Sequence, residues 1–241
     1  MTKKRWTLNA DVGEGCDDTL IMPFLDCANI CCGMHAGSEA ITQKTIALAE
    51  SYNVTVGAHP GYADAEHFGR LSLDLTPAQL HETLHAQISL LDQLSKKLAY
   101  VKPHGALNHD MLKNDSIFAK ICEVTASINP NLALMVPTNA RQASQQAIAD
   151  KYGLTIWWEV FADRAYQPDG LLRPRKYDDA VHRDSERIVE QIRRIRDRES
   201  IVAVDGTEID ISTARTICVH GDNSASVQAI RKLSVSEHQN Q

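Results

Sequence analysis

Short apolar runs recur along the chain, and each gives way abruptly to polar residues of catalytic type. Residues 6–8 lead into Asn9-Ala10-Asp11-Val12-Gly13-Glu14, and residues 26–32 into Gly33-Met34-His35-Ala36-Gly37. Residues 54–58 lead into His59-Pro60-Gly61-Tyr62, and Tyr100-Val101 into Lys102-Pro103-His104-Gly105. Residues 155–158 lead into Glu159-Val160-Phe161-Ala162-Asp163-Arg164, and residues 216–219 into His220-Gly221-Asp222. A seventh apolar run, 132–136, precedes Thr138 and Asn139. Runs of this length read as buried strands.

Helical periodicity separates most of these strands. Ser38-Glu39 opens a helix that ends near Tyr52. Thr76-Pro77 reads as an N-cap with proline in the first turn, followed by Leu80, Leu84, Ile88 and Leu91 at helical spacing. Further helices are predicted from Asp115, over 140–150, over 185–198, and over 224–233. The basic stretch 193–198 is flanked by Glu190 and Glu199 and reads as a solvated helix face. Regular β–α alternation predicts a parallel sheet, either a (β/α) barrel or an open doubly wound sheet. In both, the strand C-termini share one face, so the polar residues converge there. Two irregular stretches, 64–74 and 165–179, are long enough to be lids or binding loops.

Composition narrows the reading. At 241 residues the chain fits one large α/β domain over its whole length, with a polar tail expected to fray after about 235. The net charge of −6 argues against a nucleic-acid or anionic-membrane surface. No apolar run approaches a membrane span, and the N-terminus lacks the apolar core of a signal peptide. A soluble, cytoplasmic protein is expected. The six cysteines form no CxxC pair and read as buried free thiols.

The candidate chemistry lies at the strand ends. Asp11 and Glu14 sit among glycines, where acids can hold a cation, transfer protons, or simply form a turn. His35, His59, His104 and His220 form the stronger signal, because one structural role shared by four such histidines is hard to picture. They suit a divalent metal, proton transfer or an anion. His81, His85, His109 and His182 read as surface residues. Lys102 can stabilise an oxyanion or pair with Glu159 or Asp163. Arg164 or Arg70 suits a substrate carboxylate, and Asn9, Glu159 and Asp163 join them as candidate substrate-binding residues. No phosphate loop, HExxH helix, GxSxG elbow or GxGxxG turn is present.

The blocks LNADVGEG, ANICCGMHAG, GAHPGY with FGR, VKPHGAL, EVFADRAY with PDG and LxxR, and CVHGD occur in this order from Leu8 to Asp222. In that order they resemble the LamB/YcsF family, whose characterised role is the A subunit of prokaryotic 5-oxoprolinase. The resemblance implies a seven-stranded (β/α) barrel of the glycoside hydrolase and deacetylase type. It implies ATP- and Mg²⁺-dependent opening of 5-oxo-L-proline to L-glutamate, with partner subunits B and C. Asp11, Glu14, His35, His59, Lys102, His104 and His220 are then the expected catalytic set, with Arg164 on the carboxylate. Where the family typically carries Asp after HAG, this chain has Ser38. Two other readings stand beside this one. A metal-dependent deacetylase or amidase would use Asp11 and two histidines to bind Zn²⁺. A non-catalytic binding subunit would leave the chemistry to its partners.

Overall fold

The computed structural model describes residues 5–95 and 97–238. Its elements in chain order are β1 (Thr7–Val12), β2 (Cys27–Cys31), α1 (Glu39–Ser51), β3 (Thr55–His59), α2 (Pro77–Leu94) and β4 (Leu98–Val101). There follow α3 (Gly105–Lys113), α4 (Asp115–Ile128), β5 (Ala133–Pro137), α5 (Gln142–Asp150), β6 (Thr155–Phe161) and α6 (Ser185–Arg198). The chain continues through β7 (Ser200–Val202), β8 (Glu208–Asp210), β9 (Thr216–Cys218) and α7 (Ser224–His238). Strands β1 to β6 and β9 form a closed barrel, every neighbouring pair parallel. The seven-stranded barrel expected from the blocks is therefore present, and the open sheet is excluded. Strands β7 and β8 form a separate antiparallel pair before the last barrel strand.

Local chemistry explains the helix starts. Thr76 and Gln79 make a reciprocal capping box ahead of Pro77. Ser38 caps α1 by accepting from the Ile41 amide, a role that serine and aspartate fill about equally well. Helix α3 was not expected. It follows His104, which makes no side-chain cap, and begins on a glycine, so none of the usual start signals precedes it. Helix α7 closes the described chain over Ser224–His238. The basic stretch in α6 is solvated as read, with Ile188, Val189, Ile192 and Ile195 carrying the buried face. Among the described residues, no helix is long and apolar enough to cross a membrane.

Two strands run further than their apolar residues suggest, and this decides what fills the barrel. Strand β1 includes Asn9 and Asp11, and β6 includes Glu159. Alternation sends Leu8, Ala10 and Val12 outward to the helices, where they join the main apolar core. Asn9 and Asp11 point inward. The interior is thus layered. At one end lie Cys27, Tyr100, Ala133 and Met135. Above them is a polar layer of Asn9, Asn29, Glu159 and Thr216, each fully buried.

Hydrogen bonds satisfy most of that layer. Asn9 Nδ2 donates to Thr216 Oγ1 at 2.9 Å. Asn29 Nδ2 donates to Asn9 Oδ1 and Asp11 Oδ1, both at 2.8 Å. The Tyr100 hydroxyl donates to Asn29 Oδ1 at 2.6 Å. Gly57, on the neighbouring strand, makes room for that tyrosine: an added Cβ would lie 2.1 Å from the ring. The polar layer forms a rigid floor for whatever lies at the strand C-termini.

Candidate active site

A cavity of about 520 Å³ opens at the C-terminal face of the barrel. Asp11, Glu14, His59, Lys102, His104 and His220 all line it. The fourth histidine of the expected set does not. His35 is fully buried and stacks behind His104, ring centroids 3.8 Å apart and planes 4° from parallel. Both irregular stretches contribute to the walls, through Phe68 and Arg70 on one side and Tyr166, Leu172 and Arg175 on the other.

Lys102 joins the polar floor to the cavity. Its ammonium lies 3.0 Å from Asp11 Oδ1 and 3.1 Å from Glu159 Oε2. Burial opposes its charge, but Asp11, Cys218 and Glu159 outweigh it and raise Lys102 well above its ordinary value. Burial also works against the Asp11 carboxylate. His59 and Lys102 overcome it and hold Asp11 well below the usual carboxylate range. Glu159 is raised, chiefly by burial, with Lys102 only partly offsetting that.

Three histidines gather around Glu14. Glu14 Oε1 lies 3.0 Å from His35 Nε2, 3.2 Å from His104 Nδ1 and 3.6 Å from His59 Nε2. His59 Nδ1 faces the Lys102 carbonyl at 2.7 Å, and His104 Nε2 faces the Phe68 carbonyl at 2.9 Å. A carbonyl can only accept, so each ring donates there. Burial drives His35 and His104 down to about 3, with the charge on nearby His59 acting in the same direction. His59 itself is raised, because Asp11 and Glu14 overcome its burial. Burial raises Glu14.

The surrounding loops are built to this cluster. Phe68 has φ +58°, rare for a bulky residue, and this turns its carbonyl toward His104. Gly69 follows at φ +62°, where a Cβ would lie 2.8 Å from His35 Cβ. Gln87 of α2 clamps the loop after β3, accepting from the Gly61 amide and donating to its carbonyl.

His220 stands opposite in a different setting. Its Nδ1 lies 2.9 and 3.0 Å from the two oxygens of Asp163, which also accepts from Ser226 Oγ and the His220 amide. Asp163 is buried, yet His220 and Ser226 hold it down at about 2. In return Asp163, followed by Asp11, outweighs burial and raises His220. This fixes Nδ1 as the donor and leaves Nε2 toward Asp11, 3.8 Å away.

Several expected roles change. Asn9, Glu159 and Asp163 were expected to touch substrate, but all three are fully buried behind the cavity wall. Arg164 lines the cavity, but its guanidinium donates to the Ala180 and Arg173 carbonyls and so anchors the 165–179 stretch. Arg70 remains at the mouth, over the Phe68 ring. Asp11 lies in β1 rather than in a turn. His182 is buried, not at the surface, with Gln191 Oε1 3.3 Å from its Nε2. His109 is exposed as expected, on the unexpected helix α3, where it also lines the cavity. Arg175 and Gln87 were missed outright; the first lies in a loop, and the second occupies a helix position whose only signal was its apolar spacing. Five of the six cysteines are buried and all six are free, as expected.

Comparison with known proteins agrees with this architecture. The chain is 42% identical over 240 residues to a 5-oxoprolinase A subunit of Pseudomonas putida KT2440, the second of that name, covering 95% of this chain and 93% of that protein. It is 41% identical over 244 residues to the 5-oxoprolinase A subunit of Vibrio vulnificus YJ016, covering 97% and 98%. The crystal structure of a lactam utilization protein from Thermus thermophilus superposes with a TM-score of 0.88 at 30% identity, covering 97% of each chain. The LamB/YcsF family model matches residues 6–241, nearly every position from β1 to the C-terminus, and the chain belongs to that family.

Proposed function

We propose that this protein is the ring-opening A subunit of a 5-oxoprolinase, a cytoplasmic enzyme that hydrolyses 5-oxo-L-proline to L-glutamate. The observation that carries the reading is the near-full-length likeness to proteins of that name, at about 40% identity. The cavity supports it chemically. A five-membered lactam is unreactive toward water at neutral pH. Opening it requires an activated carbonyl, a proton for the ring nitrogen as the C–N bond breaks, and a countercharge for the substrate carboxylate.

His220 is the proton carrier in this scheme. Asp163 orients its ring and favours the imidazolium, and its Nε2 faces the cavity. Asp11 stays ionised and holds Lys102 in its charged form beside the reacting group. Arg70, Lys113 and Arg175 at the mouth fit a carboxylate or phosphoryl oxygens. Mg-ATP, acting with partner subunits B and C, supplies the activation of the amide oxygen.

A second reading, a metal-dependent amidase working without ATP, is favoured by one observation, the Glu14–His35–His59–His104 cluster. The deciding experiment is glutamate release from 5-oxoproline. The proposal expects little or none from the isolated chain, and glutamate with equimolar ADP once the partner subunits and Mg-ATP are added. Rapid ATP-independent release by the isolated chain would overturn it in favour of the amidase.

A further inference from the structure

Beside Glu14, three atoms that can each present a lone pair crowd around one point. His59 gives its Nδ1 proton to the Lys102 carbonyl, and His104 gives its Nε2 proton to the Phe68 carbonyl. In the neutral rings, the remaining nitrogens are both lone-pair acceptors, and they face each other at 2.9 Å. Glu14 Oε1 is a third acceptor, 3.2 Å from one nitrogen and 3.6 Å from the other. A proton can bridge only one of these pairs. A cation at their centre satisfies all three.

The spacing suits a first-row transition metal. With ligands roughly 2.0–2.2 Å from an ion, neighbouring donor atoms lie about 2.8–3.6 Å apart, from octahedral to tetrahedral angles. The measured 2.9, 3.2 and 3.6 Å fall across that range. Backbone carbonyls holding the far nitrogen of each ring are the usual outer support of a metal-binding histidine.

His35 belongs to the cluster by distance but not by direction. Its ring is parallel to that of His104, centroids 3.8 Å apart. Lone pairs lie in the ring plane, so two stacked rings cannot both aim at one ion. His35 instead donates from Nε2 to Glu14 Oε1 at 3.0 Å. Its Nδ1 is then an unprotonated acceptor, which fits its buried position against Gly61 without a partner.

From this geometry we infer that Glu14, His59 and His104 bind one divalent transition-metal ion, with His35 positioning the Glu14 carboxylate. Two imidazoles and one carboxylate leave coordination positions free on the cavity side, the arrangement of a reactive rather than a purely structural centre. The inference does not depend on the lactam reading, because it is tested by binding alone.

The test uses the full chain, stripped of metal with a chelator and titrated with Zn²⁺ and Co²⁺. Bound metal is read by elemental analysis after desalting, and the Co²⁺ form by its visible absorption. The expected result is one equivalent per chain. Glu14→Gln and His104→Ala should weaken binding at least a hundredfold, and His35→Gln about ten- to a hundredfold with the stoichiometry kept. Because Glu14 lies in a turn, Glu14→Gln provides the folded control should His104→Ala misfold. Wild-type binding no tighter than that of Glu14→Gln would overturn the inference and leave the shared proton between His59 and His104. An unchanged affinity in His35→Gln would overturn the positioning role.

Discussion

Two groups of histidines share one face of this barrel, and their surroundings make them opposites. His220, after β9, is held by an ionised carboxylate that raises its affinity for protons. His35 and His104, near the ends of β2 and β4, are buried beside another imidazole and pushed down to about 3. Residue type therefore does not set the role. In the proposed roles, a buried carboxylate suits His220 to carry protons, whereas burial and a backbone carbonyl suit His104 to present a fixed lone pair. Lys102 lies between the two groups and pairs with Asp11, which faces His59 on one side and His220 on the other.

The largest expected effect lies on the proton-carrying side. His220→Ala in the assembled enzyme should lower turnover by roughly two to four orders of magnitude, with the chain still folded. Turnover within a few-fold of wild type would remove His220 from proton transfer. Next comes the link between the groups. Lys102→Met leaves Asp11 and Glu159 buried without their cation and should cost about 3–5 kcal/mol of stability. Denaturant melts will show this, and a loss below about 1 kcal/mol would mean that the two acids share a proton instead.

The floor beneath the site predicts a somewhat smaller loss. Gly57→Ala forces a methyl group against the Tyr100 ring and should destabilise by about 1–3 kcal/mol. Its effect on turnover should follow stability alone.

The smallest effect concerns pH. Asp163→Asn should move the His220 titration to lower pH, read by NMR, because the carboxylate that favours the imidazolium is gone. The same pair leaves a signature in stability. The Asp163 share is complete above the ordinary carboxylate pKa and is lost as pH falls through about 2. The His220 share is complete below about 6.5 and is lost as pH rises through its raised folded-state value. Asp163→Asn should therefore flatten the alkaline limb of the stability profile.

Much of this molecule is legible in the order of its residues. The seven strands, most helices and the face carrying the chemistry follow from apolar runs ending in polar blocks. What misled was the assumption that a strand stops at its first polar residue. The interior of this barrel is itself polar, so Asn9, Asp11 and Glu159 lie within strands, and two of them never reach the cavity. Asp163 looked like a ligand contact because nothing in sequence shows that His220, 57 positions away, closes over it. Helix α3, which carries His109 to the cavity rim, was not legible because it starts without a cap. The direction of His35, stacked behind rather than beside His104, is set by the Gly61 and Gly69 backbones, which sequence spacing cannot describe.

The division between the two histidine groups is tested most directly by measuring bound metal in His220→Ala and His104→Ala side by side. Both variants would be loaded with Zn²⁺, desalted and assayed by elemental analysis. The account predicts one equivalent in His220→Ala and essentially none in His104→Ala. Equal metal content in the two variants, whether both full or both empty, would contradict it.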